Sequence, residues 1–442
     1  MNIPFKPLRS LLLVLCALVL LARPGATQGA DTDAYGGSTR VRWEATGWFR
    51  LQQSGGRFWL VTPEGHPFFN LGINHLGDGL SNAQRADVAL ATQITRQFQA
   101  WHFNTAGYGA SVPFRENTPF VSFLNLVPTS RFLRDKAAFP DVFDAEFQRD
   151  LQKRIERQCR DVRDNPRLLG YMWTDTPLWN LKDARRTIKK DWVSTLRQLA
   201  ATAPGKIAYV DFLLETHRGD LSKIARIYDV KASSRAELLA APFDVVRVDT
   251  PAVAAEDAQF LRRIARTFYG VAGPAYRKND PHHLVWGEMY LQISLPDEVL
   301  EEAMPHIDLL LIQPTGNPVA KEPKDHFDAA LFDRLHQTYR KPIIIGDHQF
   351  SFATPEFPRT MWVQYPNAAE AVAAYGAYLR EAAARPYIVG YNRCQIRDVV
   401  QPDGKLKQGL LQRNGEPYPD FASQIAAFNR QTLDALYKKL KP

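Results

Sequence analysis

Two short stretches of this chain deliver carboxylates in matching settings. In residues 165–180, NPRLLGYMWTDTPLWN, an apolar run over 168–173 leads into Asp175 and stops at Pro177. In residues 341–352, KPIIIGDHQFSF, a second apolar run leads into Asp347. Each reads as a buried strand with an acid at its carboxyl end. Two acids facing one another across a cleft suit glycosidic bond cleavage, one protonating the leaving oxygen and the other acting as base or nucleophile. Glu288, after the run 284–287, is a third candidate for the acid. The bland alternative for one aspartate alone is a solvated carboxylate in a strand-to-helix turn, and the recurrence of the design weighs against it.

Other polar residues end further apolar runs: Asn74 and His75, Asn104, Gln313, His348 with Gln349, and Arg393. With Thr176 they are candidates to hold a substrate. Trp173 and Trp179 flank Asp175 and offer flat apolar surfaces beside hydrogen-bonding groups, which suits a sugar ring; the competing role for each is core packing. No HExxH or comparable spacing supports a metal at His75, Asp347 and His348 or at His282 and His283, so no metal and no cofactor is expected. Nucleophilic serine chemistry lacks a GxSxG elbow. A lyase would need a base and a cation to neutralise a uronate, for which His348 and Arg393 are the weak candidates.

These residues need elements to position them. Strand candidates begin at Phe68, Phe103, Phe120, Leu168, Ile207, Leu284, Ile307, Ile343 and Ile388, with helical segments between them, among them 83–101, 143–162, 257–268, 329–339, 368–384 and 420–437. Near-continuous apolar strands alternating with helices argue a parallel sheet buried on both faces. The repeat number favours a (β/α)8 barrel, so one of the nine strands, Ile207 or Phe120, is surplus. No Gly-rich phosphate loop follows the first strand, which argues against a dinucleotide-binding fold. In a barrel of this kind chemistry sits at the carboxyl ends of the strands, where the polar residues above fall. The irregular stretch 217–246 reads as an extra lobe over the barrel mouth.

The chain has 442 residues. Lys6 and Arg9 precede an apolar run over 11–21, and small residues follow, the pattern of a secretory signal peptide over residues 1–30. The run is too short for a membrane span, so no stable membrane insertion and a secreted or periplasmic location are expected. A lead-in with a hairpin at Ser54-Gly55-Gly56 occupies 31–60, and the barrel 61–440. The formal charge of +8 includes Lys6, Arg9 and Arg23, and the remainder is dispersed as on solvated helix faces. Nucleic acid is therefore not an expected partner, and a mild preference for an anionic polysaccharide is the most the charge implies. Cys159 and Cys394 are expected as free thiols. The oligomeric state is left open.

The segments GRFWLVTPEGHPFFNLGINHL, FQAWHFNTAGYG, FPDVFDAEFQRDLQKRI, DNPRLLGYMWTDTPLW, NDPHHLVWGEMY, KPIIIGDHQFSF and GLLQRNGEPYPDF occur in an order that resembles agarase-like glycoside hydrolases of clan A. The chain is most similar to glycoside hydrolase family 50, the β-agarases, from Gly56 to about Phe421. The resemblance implies a (β/α)8 fold and hydrolysis of O-glycosidic bonds in an agar- or galactan-like polysaccharide or oligosaccharide. It also implies an Asn-Glu pair after the fourth strand and a nucleophilic Glu after the seventh. Here Asp175 and Thr176 occupy the first place and Asp347 the second, and the Trp usual near the eighth strand is replaced around Asn392-Arg393-Cys394. A pair of shorter acids leaves room for a water between them, which favours inversion over retention. The competing expectation is a degenerate barrel that binds glycans without cleaving them.

Overall fold

Apolar runs and amphipathic helices alternate to build, in the computed structural model of the chain, a closed barrel of eight parallel strands. The structure describes residues 31–243, 250–314, 326–361 and 363–440. The leader expected over 1–30 lies outside the described residues. The barrel strands are β1 (Asn70–Ile73), β2 (Thr105–Ala106), β3 (Phe120–Leu124), β4 (Leu168–Asp175), β5 (Leu284–Leu291), β6 (Leu310–Gln313), β7 (Ile343–His348) and β8 (Ile388–Arg393). They follow one another around the ring in chain order, and β8 closes on β1 from Gly390↔Asn70 to Arg393↔Ile73.

Burial on both faces explains why the strands show no polar alternation. Leu169, Met172, Trp286, Met289, Leu311, Ile344 and Val389 fill the barrel interior, whereas Tyr171, Trp173, Ile345 and Tyr391 face the surrounding helices. Helix α1 (Ala145–Val162) is typical of that outer layer. Asp144 caps it by accepting from the Glu146 amide, and Leu151, Ile155, Cys159 and Val162 form its buried stripe, the spacing a helix needs to face a core along one side. Among the described residues no helix is long and apolar enough to cross a membrane.

The lead-in is a three-stranded antiparallel sheet, Arg50–Ser54 against Arg57–Val61 against Pro67–Phe68. Phe49, Leu60 and Phe68 join the barrel-interior core. The Phe58 amide donates to the Pro386 carbonyl at 2.8 Å, and Arg57 donates to the Ile388 carbonyl at 2.8 Å. The hairpin therefore stops the barrel at the end opposite the carboxyl ends of the strands.

Three expectations need correcting. The strand expected at Ile207 is a helix, α2 (Pro204–Thr216), with Pro204 in its first turn. It packs outside the barrel on Phe260 of helix α3 (Pro251–Asn279), through Tyr209 at 5.0 Å and Phe212 at 5.4 Å between ring centroids. A short run that is apolar all round carries no period to separate helix from strand. Its removal leaves the eight strands a barrel needs. The run ending at Ile73 is two strands, since Pro67–Phe68 belongs to the lead-in sheet and only Asn70–Ile73 enters the barrel. Asn104 precedes its strand rather than following it.

Candidate active site

Two irregularities in the barrel wall decide which side chains reach its mouth. On β7, Ile344 faces inward and Ile345 outward, and the pairing with β8 shifts between Ile345 and His348. Such a slip changes the face to which the following residues point. Asp347 turns into the mouth, and His348 faces the helix layer, its ring against Tyr378 at 4.3 Å and Phe350 at 4.7 Å. On β4 a similar shift lies between Met172 and Asp175. Thr174 and Thr176, on either side of Asp175, have φ of 52° and 45°, and His75 has φ of 58°. Threonine is sterically disfavoured there, and such backbone strain gathers at functional sites.

Asp347 is the most heavily held group. Asn74 Nδ2 donates to its Oδ1 at 2.6 Å. Its Oδ2 lies 2.5 Å from the Tyr108 hydroxyl and 3.2 Å from His75 Nε2. Asn74 fits because residue 107 is glycine: a β-carbon there would stand 1.8 Å from Asn74 Oδ1. The same Tyr108 hydroxyl lies 3.2 Å from Asp175 Oδ2 and 2.7 Å from His75 Nε2. Behind this cluster, Asp78 Oδ2 is 3.5 Å from His75 Nδ1 and 3.8 Å from Lys407 Nζ. Lys407 comes from a two-stranded ribbon, Val399–Val400 with Leu406–Lys407.

The two carboxyls are biased toward opposite charge states, Asp347 buried and Asp175 partly exposed. Burial and the Asp347 charge together push Asp175 up to about 7. Burial would also raise Asp347, but His75, Lys407 and the Tyr108 hydrogen bond outweigh it and hold that carboxyl well below the usual range. Burial likewise opposes the Lys407 charge, yet Cys394, Asp347 and Asp78 hold its ammonium above the ordinary lysine range. A proton-bearing acid beside an ionised one is the arrangement from which acid and base roles are assigned.

Of the residues singled out from the sequence, Asn74, His75, Asp175 and Asp347 come together. Thr176 adjoins them and pins the loop by its backbone, its amide donating to Met289 at 2.9 Å and its carbonyl accepting from Arg131 at 3.1 Å. Gln313 ends β6 in phase with the inward Leu311 and so faces the mouth side, and Gln349 is fully buried just past the end of β7. The rest do not reach it. Glu288 is fully buried and accepts from Trp179 Nε1 at 2.6 Å and from the Tyr269 hydroxyl of helix α3. Trp173 stacks on Tyr276 at 5.0 Å and Trp179 on Trp192 at 4.5 Å, both with no exposed surface. Neither indole therefore has a face free for a sugar, and both are core residues. Arg393 lies over the Phe421 ring at 5.2 Å, in the helix layer. Asn104 ties β1 to β2, accepting from the Leu71 amide at 2.8 Å and donating to the Phe69 carbonyl at 2.9 Å.

Tyr108, Asp78 and Lys407 were not anticipated. Tyr108 lies just past β2, which begins at Thr105 rather than at Phe103, so its place at a strand end is displaced by two residues. Lys407 arrives from a ribbon outside the strand–helix rhythm and has no local signal. Two groups among the described residues have ligand atoms within 4.8 Å of one another, His75 with Asp347 and Cys394, and Asp33 with Glu64 and His66. The first has the Lys407 ammonium beside it. In the second, Asp33 is already engaged by the Tyr35 and Gly37 amides and the Thr62 hydroxyl.

No family model matches the chain. β-Agarase B of Vibrio sp. (strain JT0107) is 21% identical over 305 residues, covering 68% of this chain and 31% of the relative. The chain thus spans under a third of that curated relative's length. Among solved structures, an exo-β-agarase superposes with a TM-score of 0.77 at 16% identity, over 92% of this chain and 68% of the other. The agarase AgWH50C superposes with a TM-score of 0.76 at 17% identity over the same shares. BpGH50 superposes with a TM-score of 0.70 at 15% identity, over 93% of this chain and 88% of its own. The chain is similar to agarases of glycoside hydrolase family 50 and has their (β/α)8 barrel.

Proposed function

We propose that this protein is a glycoside hydrolase that cleaves O-glycosidic bonds in an agar- or galactan-like glycan, with Asp175 as general acid and Asp347 as nucleophile. The observation that carries the reading is the convergence of these two carboxyls on one tyrosine hydroxyl at the barrel mouth, one biased to hold a proton and the other biased to lose it. Asp175 gives its proton to the leaving oxygen as Asp347 attacks the anomeric carbon, and water then releases the sugar with Asp175 as base. The contacts of 3.2 and 2.5 Å from Tyr108 limit how far apart the two Oδ2 atoms stand. That spacing favours the retaining range of about 5–5.5 Å over the inverting range of about 6.5–9.5 Å, against the inversion expected from the shorter side chains. The leader-like residues 1–30 support action outside the cytoplasm.

Release of reducing ends from a panel of agar, carrageenan and other galactans tests the proposal. D175N and D347N should each lower the rate at least ~100-fold, and full activity in either would sink the assignment. A rise in ultraviolet absorbance from an unsaturated uronate would point instead to a lyase. One observation favours a second reading, a barrel that binds glycans without cleaving them: the Tyr108 hydroxyl occupies the space between the acids. Retention on an agarose column without any release of reducing ends would support that reading.

A further inference from the structure

The hydroxyl of Tyr108 touches both acids, yet a phenol has a single proton to donate. The contact with Asp347 is the shorter, 2.5 Å against 3.2 Å, as expected for a hydrogen bond to an ionised acceptor. Donating there leaves the phenol oxygen as an acceptor on its other side. The approach of Asp175 Oδ2 to that oxygen is then satisfied by a proton that Asp175 itself carries. The resulting chain runs one way, from the Asp175 carboxyl to the Tyr108 oxygen and from the Tyr108 proton to the Asp347 carboxylate.

The ring has little freedom to do otherwise. It packs against Phe123 at 5.3 Å and His75 at 4.5 Å between centroids, and its own carbonyl accepts from the His75 amide at 2.8 Å. His75 Nε2 reaches both Tyr108 and Asp347, and Asn74 fills the other oxygen of Asp347. Asn74 and Tyr108 thus both donate to Asp347, whereas Asp175 Oδ1 is buried without a partner.

We infer that Tyr108 is a positioning residue whose single proton decides which carboxyl serves as acid and which as nucleophile. The inference rests on the hydrolase reading for its catalytic meaning, although the hydrogen-bond direction stands apart from it. Without the hydroxyl, Asp347 loses a donor to its charged form and Asp175 loses the acceptor for its proton, so their protonation ranges converge.

Tyr108→Phe tests this in the full-length protein. The pH–rate profile should narrow from both sides, its acid limb moving up and its alkaline limb moving down. The rate constant kcat should fall about 10- to 100-fold, the scale of one hydrogen bond to a charged group, with KM little changed. A merely structural tyrosine would lower activity without moving the limbs. An alkaline limb that moved upward, or limbs that stayed in place, would overturn the inference. Difference infrared spectra supply a reading that needs no substrate. The protonated-carboxyl band of Asp175, identified by its loss in D175N, should disappear at lower pH in Y108F than in the wild type. Persistence of the band to the same pH would count equally against it. If D175N and D347N prove fully active, the hydrolase assignment falls, and the infrared result still judges Tyr108 alone.

Discussion

Replacing Gly107 by alanine should disable the site by displacing Asn74 from Asp347. The added methyl would lie 1.8 Å from Asn74 Oδ1 and 2.9 Å from its Cγ, far inside contact distance, with the Ile73 carbonyl at 3.0 Å as the next obstacle. The side-chain amide is the part that can move, and moving it breaks the 2.6 Å bond from Nδ2 to Asp347. A hydrogen bond to a charged group contributes roughly 1.5–3 kcal/mol. If that bond acts fully in the transition state, its loss is worth roughly 10- to 100-fold in kcat. Steady-state kinetics on a substrate found in the galactan panel, beside thermal melting, gives both readouts. Asn74→Ala should show the same kinetic loss without the clash, and G107A added to N74A should cost little more, because the two act through one contact. A further tenfold loss in that double variant would mean that the Ile73 backbone, not Asn74, absorbs the collision. G107A with unchanged kcat and melting temperature would refute the reasoning outright.

Two more outcomes concern the buried groups behind the mouth. Burial pushes Glu288 up to about 8 from an ordinary 4.5. Its folded form therefore binds a proton more readily than its unfolded form. The stability this lends is complete below the unfolded value and is lost as pH rises through the folded one. Glu288→Gln keeps the neutral shape, so it should melt above the wild type beyond about pH 8, and parallel melting curves for both proteins across that range would exclude the assignment. Cys159 and Cys394 are both buried and unpaired, and burial pushes Cys159 up to about 12. Neither should react with a thiol-specific chromogen in the native protein, and both should react once denatured; rapid native labelling would contradict the packing.

The acids could be found from sequence because each closes an apolar run long enough to be a buried strand. Asp175 and Asp347 needed no more than that. The direction of a side chain at a strand end was not legible in the same way. Register shifts after Ile345 and after Met172 set which residue turns inward, and a strand buried on both faces has no polar alternation to mark the slip. His348 follows such a slip and lies in the helix layer, whereas Arg393 lies there by plain alternation with the outward Tyr391. Trp173 and Trp179 misled differently. A tryptophan beside an acid has the chemistry of a sugar platform, and only its stacking on Tyr276 or Trp192 shows that its faces are taken. Tyr108 was missed because a two-residue strand such as β2 gives the pattern almost nothing to fix its end.

The seam between β8 and β1 bears on how the protein is made. Asn70 donates to Asn392 across it at 2.8 Å, between residues 322 positions apart. Helix α4 (Pro419–Tyr437) then reaches back, and the Phe69 amide donates to the Tyr437 hydroxyl at 3.1 Å. A ribosome must therefore release nearly the whole chain before the ring can shut. Until then β1 presents an unpaired edge to any neighbouring strand, the exposure that invites aggregation during slow, non-local folding. The lead-in hairpin pairs locally, but its bonds to Pro386 and Ile388 can form only once the last strand has been synthesised.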